Sequence, residues 1–279
     1  MTTRHAATRI AGPGYLLDNA AAEAGGRFTA LAALFDPVTA RHLDALSVAE
    51  GWRYWEVGAG GPSLPRLLAE RVGRTGHVLA TDLDIGWIEA GLPAGVEFHR
   101  HDVAHDEPPG DGFDLVHARL VLVHVAERDE ALRRMVSALR PGGWLLVEDF
   151  DVALQPLACL DPHSTEEHLA NRVRAGFVDL LARRGVDLEY GRKLPRLLRR
   201  AGLADVAADA FFPVAVPAAA ALEHANVSQV RDGLVGPGHA SAEEIDAHLA
   251  AVAAGHFGIA TPPLVSAWGR RPSDPADPS

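Results

Sequence analysis

Between Arg53 and Phe150 the chain alternates short apolar runs with segments of helical spacing, and this alternation constrains the fold more than any other feature. RYWEV (53–57), GHVLATD (76–82), VEFHR (96–100), FDLVHA (113–118) and WLLVEDF (144–150) read as strands. PSLPRLLAERV (62–72), IGWIEAGL (85–92) and AERDEALRRMVSAL (126–139) read as the helices between them, the last closed by Pro-Gly-Gly. Strands separated by helices of this length cannot pair as hairpins. They imply a parallel sheet with right-handed crossovers and helices on both faces.

The flanks are less regular. From Asn19, NAAAEAGGRFTALAALFD carries apolar residues at helical spacing; Pro37 is expected to interrupt it, with VTARHLDAL resuming as a second helix. After Asp151, residues 164–185 read as a long helix opened by a capping box, with Ser164-Thr165 ahead of Glu167. Residues 194–202 read as a further helix, 205–216 as a strand, 218–253 as two helices, and 259–271 as a last strand. The expectation is one α/β domain around a doubly wound, mostly parallel seven-stranded sheet, with a helical cap inserted late, around 151–200 and 217–255.

Composition narrows the function. The 279 residues hold 26 Lys+Arg against 37 Asp+Glu, a formal net charge of −11 with no basic stripe. Such a chain is a poor partner for nucleic acid, where phosphate neutralisation supplies much of the affinity. It also lacks a polybasic patch for an anionic membrane. No apolar run reaches the roughly 18 residues of a spanning helix. Cys159 is the only cysteine, so no intrachain disulfide forms, and the N-terminus has no apolar signal core. A cytoplasmic, monomeric or homodimeric protein acting on a small molecule is expected.

The stretch YWEVGAGGPS (54–63) places Gly58 and Gly60 between a strand and a helix, where backbone approaches a ligand closely. A phosphate-binding P-loop needs a lysine, and none is present there. A dinucleotide fingerprint is half met by Gly58-x-Gly60-x-x-Ser63, and Asp82 ends the second strand in place for ribose hydroxyls. That acid serves any adenosine-type ligand. Glu56, just ahead of the glycines, would repel a pyrophosphate and favours a cationic amino-acid head group. Asp102-Val103 follows the third strand, where an acid and an apolar neighbour can receive an adenine amino group and its ring. Three carboxylates at successive strand ends suit a cationic, phosphate-free ligand.

With these residues in place, the chain resembles the class I S-adenosylmethionine-dependent methyltransferases over roughly 50–150. EVGAGGPS, ATDLD, HDV, FDLVHARLVLVHV and LRPGGWLLVEDF resemble successive motifs of that family, in order and at its spacing. The lead-in YLLDNAAAEAGGRFTALAALFD more loosely resembles the N-terminal lid of small-molecule methyltransferases of bacterial specialised metabolism. The resemblance implies a lid over 1–49 and a core over 50–279. It also implies that Gly58, Ala59 and Gly60 line the methionine portion of S-adenosylmethionine, and that Glu56 orients the loop or holds the amino group. Asp82 would take the ribose diol, Leu83 the adenine face, and Asp102 with Val103 the adenine edge. Tyr15 would cover the cofactor from the lid. His117, Ala118 and Arg119 would stand nearest the transferable methyl. His117 is then a candidate general base, His124 a second one, and Arg119 a partner for a carboxylate. Pro62 departs from the family, which has a third glycine there; its φ still suits a first helical turn.

Two other readings stay open: an NAD-dependent oxidoreductase, and a binding protein on the same fold without catalysis. No metal is expected, although His99, His101 and His105 lie close in sequence, because no ligand motif accompanies them. The nucleophile, an oxygen, nitrogen or carbon of an apolar metabolite, is left open. Phe177, Phe211, Phe212 and Phe257 in and around the cap suggest an apolar pocket. Glu148, Asp149 and Asp151, ending the fifth strand, would steer a cationic or hydroxyl substrate or face solvent.

Overall fold

A computed structural model describes residues 16–17, 19, 24–84, 86, 95–235 and 239–273. Among these, seven strands form one sheet: β1 (Arg53–Val57), β2 (His77–Asp82), β3 (Val96–Arg100), β4 (Phe113–Arg119), β5 (Leu139–Phe150), β6 (Ala204–Phe211) and β7 (Leu264–Arg270). Their order is β3-β2-β1-β4-β5-β7-β6. The first five are parallel; β7 runs antiparallel between β5 and β6. The expected mostly parallel, doubly wound architecture is what the chain adopts. Successive strands step outward from β1 in one direction and from β4 in the other. The crevice past their carboxyl ends is therefore the topological switch point, where open α/β sheets bind ligands.

Side chains alternate across the sheet because strand residues point to opposite faces in turn. Tyr54, Val78, Leu115 and Leu146 meet Leu43 of α1 (Ala24–Ala45) and Leu68 and Val72 of α2 (Ser63–Val72). Trp55, Val57, Val116, Leu145 and Val147 meet the opposite layer, α3 (Arg128–Ala138) and α5 (Tyr190–Arg200). Beyond the strand ends, α4 (Thr165–Arg183), α6 (Pro217–Gln229), α7 (Arg231–Leu234) and α8 (Ala242–Ala254) form a further layer around Val173, Val227, Leu234 and Ile245. α6 packs along α1 through Ala30, Leu34, Ala219 and Leu222.

Several boundaries differ from expectation: the last strand runs only over Leu264–Arg270, and 218–253 holds three helices, not two. Pro37 does not break the first helix; α1 runs through it. Phe35, Val38 and Leu43, all buried around that point, hold both halves in one line, and packing outweighs the lost hydrogen bond. Pro141-Gly142-Gly143 does not cap α3 but lies within β5, whose first residue, Leu139, pairs with Phe113. The restriction that Pro141 places on its predecessor favours that extended path. α5 begins at Tyr190 rather than Leu194, because Tyr190 is itself buried in the core. β6 stops at Phe211, short of Pro213, which has no N–H for a ladder. The expected helix over 85–92 falls outside the described residues except Gly86.

The capping box that opens α4 forms as expected. Ser164 accepts from the Glu167 amide, and the Glu167 carboxylate accepts from the Ser164 amide at 2.8 Å. Ser164→Ala is expected to cost about 1 kcal/mol, read as a lowered urea midpoint with an unchanged m-value.

Candidate active site

The turn after β1 adopts the conformation its glycines permit. Gly58 and Gly60 have φ of 65° and 64°, in the left-handed region. Ala59 donates its amide to the Thr81 carbonyl at 3.0 Å, tying the turn to β2. A Cβ on Gly58 would stand 2.4 Å from Val121, just past β4, and one on Gly60 would stand 2.9 Å from Phe28 of α1. The loop thus runs between the two sides of the crevice with no room for larger residues. Pro62, at φ −81°, directly precedes α2 and fits the helix entry.

Asp82 ends β2 and is buried, with Oδ2 accepting from the Gly60 amide at 2.8 Å and Oδ1 from the Asp84 amide at 3.0 Å. Burial raises its pKa, while these amides oppose the rise. Leu83 beside it is 59% exposed, an apolar side chain presented at the strand end. Asp102 closes the turn after β3: its carboxylate accepts from the Ala104 amide at 2.9 Å and meets His105 Nδ1 at 3.0 Å. Val103 is buried. His101 Nε2 meets the Glu107 carbonyl, so the three neighbouring histidines do not converge. Tyr15 lies outside the described residues.

Glu56 and His117 are register partners on β1 and β4. Glu56 is 1% exposed and His117 0%, and Glu56 Oε2 lies 2.6 Å from His117 Nδ1. The other ring nitrogen is 3.2 Å from Glu148 Oε2. This corrects the expectation that His117 is a general base open to substrate, or a direct cofactor contact. Both its nitrogens are committed to carboxylates under the α1 layer. Burial alone would lower its pKa; the two carboxylates overcome that and hold it at about 9. His117 is a buried imidazolium.

Glu148 continues the row. Its Oε1 accepts from Ser266 of β7 at 2.7 Å and lies 3.3 Å from His42 Nδ1 of α1, and Oε2 accepts from the Thr39 hydroxyl. His42 Nε2 meets Asp209 of β6 at 3.0 Å. Glu148 is held ionised, well below its ordinary range despite burial, chiefly by His117 and His42. Asp149, next along β5, is buried on the opposite face, where burial pushes its carboxyl well above the usual carboxylate range. Asp151 is also buried and pairs with Arg192 through both oxygens at 2.6 Å. None of the three carboxylates at the end of β5 faces solvent.

Arg119, at the end of β4, donates to Asp36 at 2.8 Å and Thr39 at 3.0 Å. Its guanidinium fastens α1 to the crevice. His124 stands in the short 3-10 turn after β4, and burial first, then Arg27 and Arg128, lower its pKa to about 4. It is a neutral imidazole at pH 7. Thr39, His42, Asp209 and Ser266 escaped the sequence reading because three separate elements bring them together. Thr39 and His42 did carry a signal: they are polar residues on the helix face that bears Phe35, Val38 and Leu43.

The folded pKa of His117 lies above the 6.5 of an unfolded histidine. Its contribution to stability is complete below pH 6.5 and is lost as pH rises through 9. The unfolding free energy from urea titrations is expected to fall between pH 6.5 and 9.5, by up to about 3 kcal/mol. His117→Gln flattens that slope.

Residues 11–208 match the methyltransferase-domain family. The chain is 29% identical over 179 residues to methyltransferase GfsG of Streptomyces halstedii, covering 62% of this chain and 60% of that protein. It is 25% identical over 177 residues to phosphoethanolamine N-methyltransferase 1 of Arabidopsis thaliana, covering 61% of this chain and 32% of that enzyme. The matched stretch is thus under two thirds of the length of either relative. Among solved structures, a putative methyltransferase from an antibiotic biosynthesis pathway of Anabaena variabilis superposes with a TM-score of 0.58 at 15% identity, over 84% of this chain and 96% of that one. With the family matched over most of its length, the chain belongs to the class I S-adenosylmethionine-dependent methyltransferases.

Proposed function

We propose that the protein transfers a methyl group from S-adenosylmethionine to an oxygen, nitrogen or carbon of a small, largely apolar metabolite. The observation that carries this reading is the Gly58–Gly60 turn at the switch point, tied by the Gly60 amide to the Asp82 carboxylate, with exposed Leu83 beside it. The residues fit the cofactor: a tight backbone turn for the amino-acid portion, a carboxylate for ribose hydroxyls and an apolar surface for adenine. No lysine stands in the loop, as a phosphate-binding P-loop would need. When bound, the cofactor supplies a sulfonium methyl, an electrophile for SN2 displacement.

The chain's own residues position and enclose. Gly58, Ala59 and Gly60 hold the amino-acid end, Asp82 the ribose, and Leu83 with Asp102 and Val103 the adenine side. Glu56 and His117 act beneath the loop as a positioning pair. Arg119, through Asp36 and Thr39, holds α1 over the crevice. His124, neutral at pH 7, is the remaining candidate to take a proton from a hydroxyl nucleophile. We assign α1 to the lid, and α4 with α6 to α8 to a cap that excludes water. The net charge of −11 favours a small-molecule acceptor over a nucleic acid.

Calorimetry with S-adenosylmethionine and, separately, with NAD tests this. S-adenosylmethionine is expected to bind saturably and NAD to give no heat. Asp82→Asn is expected to weaken binding about tenfold or more, the loss of a hydrogen bond to a charged group. Saturable NAD binding with none for S-adenosylmethionine overturns the proposal in favour of an oxidoreductase.

A further inference from the structure

A cavity of about 60 Å³ lies past the end of β5, between α4 and α6. That is room for on the order of five non-hydrogen atoms. Phe150, Phe177, Leu181 and Leu222 give it apolar walls, and Arg174, Glu223 and Asn226 bring polar groups to it. Arg174 and Glu223 are only 5% and 4% exposed. A charge pair this deep beside an apolar hollow needs a reason, because apolar residues of similar volume would serve stability as well.

The hydrogen bonding of the pair is one-sided. Arg174 Nε and Nη2 both donate to Glu223 Oε2, at 3.2 and 2.6 Å. Nη2 also donates to the Ala260 carbonyl at 3.2 Å, and Nη1 reaches the Leu157 carbonyl at 3.5 Å. Four of the five guanidinium N–H donors are thus directed at the protein. Glu223 Oε1 and, one helical turn on, Asn226 Oδ1 are buried without an aligned donor; His248 Nε2 stands 3.4 Å from Oε1. Burial would raise the Glu223 pKa, but Arg174 and His248 hold it at about 2, so it is a carboxylate that only accepts. A buried acceptor left unmatched costs free energy that a ligand donor recovers.

We infer that this cavity seats one end of the acceptor molecule, a short apolar end that carries a hydroxyl donating to Glu223. The choice of hydroxyl follows from charge and polarity together. Arg174 already neutralises Glu223, so the site does not call for a cation. A carbonyl or ether oxygen would face an acceptor and leave it unpaired, which discriminates against analogues lacking the donor. The walls restrict the inserted end to a few carbons. The assignment rests on the methyltransferase reading for what the rest of the molecule undergoes. The binding of the hydroxyl end is a property of the cavity alone.

Two probes of one skeleton test it: butan-2-ol, which donates, and butan-2-one, which only accepts. Each is titrated into the full chain with ¹³C-labelled methyl groups, without S-adenosylmethionine, and read at the methyls of Val178, Leu181 and Leu222. Butan-2-ol is expected to give saturable shifts there, with the ketone at least tenfold weaker. The paired replacement Arg174→Met with Glu223→Leu, which leaves no lone buried charge, is expected to erase the preference. Equal response to both probes, no saturable shift at these methyls, or a preference that survives the paired replacement overturns the inference. The probe comparison on the unaltered protein requires no variant to fold. Because cofactor binding is measured separately, a failure of the methyltransferase reading shows in the calorimetry and not here.

Discussion

The imidazolium of His117 between the carboxylates of Glu56 and Glu148 is the interaction on which the crevice depends. Three ionisable groups, each almost fully excluded from water, sit at the carboxyl ends of β1, β4 and β5. None is tolerable alone, since an unpaired buried charge costs several kcal/mol. Together they are held by contacts of 2.6 and 3.2 Å. The sheet makes this possible: Glu56 is in register with His117, and Glu148 is in register with Ser266, which donates to it. The row therefore stitches together the strands that diverge at the switch point. The glycine turn begins two residues beyond Glu56, so its starting position is set by this pairing.

The same row fixes the helix above it. Thr39 donates to Glu148, His42 lies between Glu148 and Asp209, and Arg119 reaches up to Asp36. α1 is consequently docked by polar contacts at its C-terminal half and by Phe35 against Phe150 and Phe211, at centroid distances of 5.6 and 6.3 Å. Its N-terminal half carries Phe28 against the glycine turn. A helix so placed couples the sheet's buried charges to the loop. His117 keeps its proton in the fold up to about pH 9, and its neutralisation above that leaves two carboxylates without their shared cation.

What the sequence disclosed follows from which interactions are local. The strands between Arg53 and Phe150 were legible because their apolar runs and intervening helices repeat over short distances. The Gly58–Gly60 turn and Asp82 were legible because a strand end and a glycine pair fix backbone position within a few residues. The role of His117 was not, since its charge is set by Glu56 and Glu148, 61 and 31 residues away. Proximity to a strand end suggested an accessible base; the cross-strand partners make it a structural cation. Pro37 misled for the same reason in reverse: a strong local breaker was outweighed by Phe35, Val38 and Leu43, which find their partners only in the folded core.

The cap shows why substrate preference is the least legible layer. Arg174 lies on α4 and Glu223 on α6, 49 residues apart, on helices whose sequences carry no motif. Their pairing is visible only once α6 has packed against α1 and α4 has closed from the other side. α1 then contributes to both ends of the site. Phe28 approaches the glycine turn, while Ala30 and Leu34 pack with Ala219 and Leu222 of α6, the helix that carries Glu223. Interiors this densely packed transmit displacement instead of absorbing it. α1 lies against both the glycine turn and the helix that carries Glu223.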